Sequence, residues 1–94
     1  LVESDSMVQC NYVRLQTEDK PGVIGKIGSI FGEFSVSIKS IVQFDSTERT
    51  AEIVVITDQV SKGQMKKSLN MISNLIEVKN ISAHSEIHKL VRNS

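Results

Sequence analysis

The chain has 94 residues, with eleven basic and eleven acidic side chains and a formal net charge of zero at pH 7. That length suits one domain with a modest core, and the charge balance argues against nucleic acid or an anionic membrane as partner, since both need a basic footprint. No apolar run approaches the ~20 residues that span a bilayer, and the one cysteine, Cys10, has no internal disulfide partner, so nothing points to secretion and a cytoplasmic setting is expected.

The chain opens on Leu1 and a polar lead-in, Glu3-Ser4-Asp5-Ser6, which reads as part of a longer protein with no signal or transit peptide. Residues 1–9 carry little pattern and are expected to form a linker or frayed arm. The domain proper is expected over residues 10–88, with 89–94 as a C-terminal tail. From Cys10 the sequence alternates, with Val13, Leu15 and Thr17 on one face and Tyr12, Arg14 and Gln16 on the other. That is a strand with one buried face.

A polar turn follows, Asp19-Lys20-Pro21-Gly22, and runs into an apolar helical pattern. Val23, Ile24, Ile27, Ile30, Phe31 and Phe34 recur at spacings that place them on one arc, predicting a helix over 23–34. Pro21 suits its first turn, where the missing N–H loses no bond. Glycines at 25, 28 and 32 line one edge of the apolar arc, although each costs a helix about 1 kcal/mol relative to alanine. Either the helix approaches its own sheet closely there, or a partner subunit or ligand lies against that edge.

Ser35 breaks the helical pattern, and a second strand is expected over 36–45. Val36, Ile38, Val42 and Phe44 would share one face, and Ser37, Lys39, Ile41 and Gln43 the other. Residues 46–49 form a polar hairpin-type connection to a third strand over 50–58. Its run Ile53-Val54-Val55-Ile56 is apolar on both sides, the mark of a central strand. Ser61 is a good N-cap for a second helix, with Gln64 completing a capping box and Val60 placed to staple against Met65. Met65, Leu69, Ile72 and Ile76 make that helix's apolar stripe. Residues 78–88 read as the last strand, with Ile81, Ala83 and Ile87 on one face.

The order is β-α-β-β-α-β. The expected fold is therefore α+β and ferredoxin-like: a four-stranded antiparallel sheet with both helices on one face. The first and third strands would be central, the second and fourth at the edges.

Few catalytic arrangements survive inspection. No serine or cysteine has a histidine-and-acid context, and no phosphate-binding glycine loop of the P-loop type is present. His84 and His88 would pair on a helix, but on a strand they stand ~13 Å apart, too far to share one metal ion. An RNA-binding use of this fold needs aromatics on the central strands, where Tyr12 stands alone. A copper-chaperone use needs a Cys-x-x-Cys loop before the first helix, and that loop has no cysteine. The turn remains. A helix N-terminus suits a carboxylate, and Asp19 just ahead of it could accept from an ammonium, so together they could hold a free amino acid. The alternative is that Asp19 caps the helix.

The run Val13-Arg14-Leu15-Gln16-Thr17-Glu18-Asp19-Lys20-Pro21-Gly22-Val23-Ile24, set in this element order, resembles the ACT domain, a family of amino-acid-sensing regulatory modules. The resemblance covers residues 10–88, and its strongest mark is the Asp-x-Pro-Gly-Val turn. Ser37-Ile38-Lys39-Ser40-Ile41-Val42-Gln43, Ala51 to Thr57 and Glu77-Val78-Lys79-Asn80-Ile81 are similar, more finely, to the ACT domains that close bacterial homoserine dehydrogenases. Gly25 and Gly28 depart from the alanines that family members often carry there.

The resemblance implies no catalytic, cofactor or metal residues in this segment; NAD(P) would belong to the catalytic domains of the full-length enzyme. It implies a free amino acid as ligand, with threonine the feedback inhibitor associated with that enzyme. The ligand would lie between two domains, against Asp19, Gly22, Val23 and Ile24 of the turn, Ser37 and Ile38 at the start of the second strand, and Gln43 further along. It also implies a homodimer through strand 36–45, helix 23–34, or both. Some ACT domains only dimerise, so a ligand-free structural module of this or another biosynthetic enzyme, such as the acetolactate synthase regulatory subunit, is the alternative.

Overall fold

A computed structural model describes residues 8–45 and 49–85. In chain order they form β1 (Val8–Gln9), β2 (Asn11–Glu18), α1 (Val23–Glu33), β3 (Ile38–Asp45), β4 (Thr50–Thr57), β5 (Val60–Ser61), α2 (Lys62–Ser73) and β6 (Val78–Ser85). Val8 and Gln9, expected in the lead-in arm, instead pair antiparallel with Ser61 and Val60. Residues 1–7, the connection 46–48 and the segment 86–94, with His88 and the expected tail, lie outside the described residues.

The main sheet is antiparallel with strand order β3-β4-β2-β6. Strands β2 and β4 are central and β3 and β6 are edges, as the apolar run in β4 predicts. Alternation in β2 does the expected work: Val13, Leu15 and Thr17 are buried and Arg14 and Gln16 exposed. Both helices cover the buried face, where Val13, Leu15, Ile53 and Val55 meet Val23, Ile27, Ile30, Phe31, Met65 and Ile72 in one cluster. Fully burying a side chain such as Leu15 or Phe31 contributes ~1.5–3 kcal/mol, so this layer holds both helices on the sheet.

The helix ends are built from local chemistry. Ser35 takes a left-handed φ of 61°. Its amide donates to the Gly32 carbonyl at 3.0 Å and that of Val36 to the Phe31 carbonyl at 2.8 Å. This is the Schellman pattern that satisfies a helix's last carbonyls. At the start of α2 the Gln64 amide donates to Ser61 Oγ at 3.1 Å, and the Ser61 hydroxyl donates to Gln64 Oε1 at 2.7 Å. Gln64 Nε2 then donates to the Phe34 carbonyl at 2.9 Å, tying the start of α2 to the end of α1. Val60 and Met65 are both buried in the core, where a staple would place them.

Three expectations need correction. Pro21 is not in the first helical turn. The Val23 amide reaches back to the Lys20 carbonyl at 3.5 Å, and Gly22 has φ 87° and ψ −6°. Pro-Gly thus occupies the two central positions of a type II turn, which needs φ > 0 at its second. In β3 the register slips between Ile38, opposite Thr57, and Ser40, opposite Ile56. This bulge at Lys39 reverses the later alternation. Ile41, opposite Val55, packs on the core, while Val42 and Phe44 are 44% and 53% exposed on the helix-free face. Finally, α2 ends at Ser73, so Ile76 misses the stripe and is 83% exposed; Leu75 packs on the core in its place.

Candidate functional site

The start of α1 decides what the turn can do. Gly22 is its N-cap, no side chain bonds its first-turn amides, and no acidic residue stands in that turn. The opening amides of a helix have no partner within it, and the positive end of its dipole is left uncompensated. The Asp19 capping role is thereby excluded. Its backbone amide donates to the Arg49 carbonyl at 2.7 Å, and its exposed carboxylate receives Gln43 Nε2 at 3.5 Å, the outer limit of a hydrogen bond.

The residues singled out in the sequence therefore fall into two groups. Asp19, Gly22, Val23 and Ile24 share the turn, and Gln43 reaches it from β3. Val23 is buried in the core and Ile24 is half-buried against it, so neither offers more than backbone and a methyl edge. Ser37 and Ile38 lie elsewhere. Ile38 pairs with Thr57, while the turn sits by Thr50 and Ala51 at the other end of β4. At 3.3 Å per residue the separation is roughly 20 Å. Ser37 is exposed, with its carbonyl accepting from the Asp58 amide at 2.9 Å.

Around the turn the charges are paired. Glu18 holds Lys20 at 3.0 Å and Lys79 at 3.1 Å, and Lys26 on α1 reaches Glu77 at 2.6 Å. Hydrogen bonding from Lys20, then from Lys79, pulls the Glu18 carboxyl below the usual glutamate range. Lys26 does the same for Glu77, and Glu18 raises Lys20. Glu18, Asp19, Lys20, Arg49 and Thr50 line a shallow depression here. The contribution of Arg49 was not visible in the sequence, because it comes from the connection between β3 and β4. Arg49 takes a left-handed φ of 69°, the mark of a constrained turn.

The glycine flank of α1 resolves one of the open alternatives. Lys26 is drawn to Glu77, so that flank faces the segment after α2, and the helical repeat puts Gly25, Gly28 and Gly32 on other faces. A methyl group at any of the three would meet nothing within 4 Å. The glycines are therefore not demanded by close approach to the chain's own sheet. Among the described residues, no three His, Cys, Asp or Glu side chains gather as metal ligands, and no helix is long and apolar enough to cross a membrane.

Comparison with known proteins agrees with this architecture. The family model of the ACT domain matches residues 11–72. A homoserine dehydrogenase of Synechocystis sp. is 43% identical over 77 residues, covering 82% of this chain and 18% of that enzyme. The crystal structure of a homoserine dehydrogenase from Thiobacillus denitrificans superposes with a TM-score of 0.77 at 22% identity, covering 86% of this chain and 18% of that one. The acetolactate synthase small subunit of Thermotoga maritima gives a TM-score of 0.68 at 20% identity, covering 80% of this chain and 47% of that subunit. The chain thus spans less than a fifth of the length of the curated relatives it matches.

Proposed function

The chain belongs to the ACT domain family, and from that premise we propose that it is the regulatory domain of a homoserine dehydrogenase, binding free threonine between two paired copies. The identity of 43% across most of the chain supports the parent enzyme. In that reading the NAD(P)-dependent reduction of aspartate semialdehyde belongs to catalytic domains of the same protein, and this domain modulates it in the cytoplasm.

The observation that carries the ligand reading is the open start of α1 beside an Asp19 that caps nothing. The threonine carboxylate would meet the first-turn amides of α1, and its ammonium would meet Asp19. The separation of Ser37 and Ile38 from the turn then becomes informative. Antiparallel pairing of two β3 edges about a two-fold axis runs the start of one strand toward the end of the other. Ser37 and Ile38 of the second copy would approach Asp19 and Gln43 of the first, giving two equivalent sites per dimer. The unfilled glycine flank of α1 leaves room for that neighbour.

A purely structural dimerisation module is the second reading. It is favoured by the same free edge and glycine flank, which need no ligand, and by the shared fold with the acetolactate synthase small subunit. Calorimetric titration of the chain with a panel of amino acids, alongside sedimentation, separates the two. Heat with threonine and a dimer in solution are expected. A dimer silent across the panel selects the structural module, and a clean monomer at high micromolar concentration defeats both.

A further inference from the structure

The second edge of the sheet differs from the one assigned to self-association. Among the described residues β6 is bonded on one side only, by β2, leaving alternate N–H and C=O groups on its other side to receive a strand. It contains no proline, and its one lysine, Lys79, is drawn to Glu18 at 3.1 Å instead of guarding the edge. Beside it runs α2. Two adjoining depressions share Lys66 and Leu69 and form a shallow groove between the helix and the strand. Leu69, Ile81 and Ala83 make its apolar floor, and Lys62, Lys66 and Lys67 its rim.

Those three lysines set the groove apart electrostatically. Residues 62–73 contain no aspartate or glutamate. Lys20, Lys26 and Lys79 each engage a carboxylate, whereas Lys62, Lys66 and Lys67 engage none among the described residues. In a chain of zero net charge, uncompensated positive charge is thus concentrated on one flank. We infer that the groove between α2 and the free edge of β6 docks an extended segment of a partner polypeptide, alternating acidic and apolar, which adds to β6 as a further strand. Backbone hydrogen bonds would supply affinity, the apolar floor would take every second side chain, and the lysines would select for acidic ones. A second copy is a poor occupant, because a two-fold axis through this edge would set lysines against lysines. Nucleic acid fits less well, since the groove offers an apolar floor and a strand edge with no arginine or aromatic ring. The inference does not rest on the threonine reading.

The test titrates the chain with a synthetic peptide of alternating glutamate and valine, followed by amide exchange and NMR shifts. Protection of β6 amides and shifts at Leu69 and Ile81 are expected, with no response to a lysine–valine peptide. Replacing Lys62→Glu, Lys66→Glu and Lys67→Glu together should weaken binding by about tenfold or more. The corresponding Lys→Gln triple variant, less disturbing to the helix, should weaken it by a smaller factor. Unchanged β6 amides, or equal binding by both variants, would overturn the inference. So would an oligothymidylate that shifts the same residues while the acidic peptide does not.

Discussion

The two helices of this domain begin in opposite ways. α2 starts on Ser61, whose hydroxyl is engaged twice by Gln64, and Gln64 continues to the Phe34 carbonyl. Its start is closed by its own sequence. α1 starts on a left-handed Gly22 with no side-chain cap and no acid in its first turn, and the carboxylate just ahead of it, Asp19, leaves that start alone. One end is finished for stability, and the other is left with chemistry unspent. A helix that starts on glycine in place of a capping side chain gives up roughly a few tenths of a kcal/mol. Such a deficit is common where local structure serves a ligand.

The contrast can be broken most strongly at Asp19. Asp19→Ala should cost roughly 1.5–3 kcal/mol of threonine affinity, a tenfold to hundredfold loss by calorimetry. Asp19 is exposed and caps nothing, so the denaturation midpoint should stay within about 0.5 kcal/mol of the parent. Asp19→Asn should lose affinity similarly, because it keeps the shape and removes the charge. If Asp19→Asn binds threonine as tightly as the parent chain, the ammonium assignment is wrong.

Gly22→Val comes next. A methyl group there meets no atom within 4 Å, so the penalty is conformational: φ 87° costs an ordinary residue ~1–2 kcal/mol, more for a β-branched one. Urea denaturation should show that loss, and binding should weaken because the turn presenting the amides is displaced. An unchanged midpoint would mean that the turn has relaxed. At the closed end, Ser61→Ala should lower stability by ~1 kcal/mol and leave threonine affinity untouched, the reverse of the result at Asp19.

The smallest effect is in pH. Glu18 and Glu77 are held below the usual glutamate range by Lys20, Lys79 and Lys26. Their contribution is complete above that range, about 4.3, and is lost as pH falls through the lowered values. Lys20, raised by Glu18, contributes fully below the usual lysine range and loses its contribution as pH rises through its raised value. Thermal midpoints should therefore be level across neutral pH and fall modestly at both extremes, less steeply in high salt. The Ser61–Gln64 box contains no titratable group and should not follow this profile.

Legibility in the sequence followed the range of the interaction. The closed end of α2 could be read from Ser61 and Gln64 because their contact spans one turn. The alternation of Val13, Leu15 and Thr17 likewise located the core face of β2, and the apolar run of β4 its central place. Pro21-Gly22 was ambiguous, since the same pair opens a helix or makes a type II turn, and only the φ of Gly22 separates these. The end of α2 was misplaced because Ile76 continues the helical spacing after the backbone has turned at Asn74. For the site, nothing local says that Ser37 and Ile38 begin at the end of the sheet remote from Asp19. That follows from strand pairing between residues far apart in sequence, as does the arrival of Arg49 beside the turn.

The bulge at Lys39 gives chain length itself a role in this domain. On a pleated strand the side a residue faces depends on whether an even or odd number of residues precedes it. The extra position between Ile38 and Ser40 changes that parity for everything that follows. Deleting Lys39 alone would remove the bulge and leave Ser40 to Asp45 opposite their present partners, with Ile41 still toward the helices and Val42 and Phe44 away from them. A single residue lost further along the strand would instead reverse the facing of those beyond it, whereas many substitutions there would leave its sidedness alone.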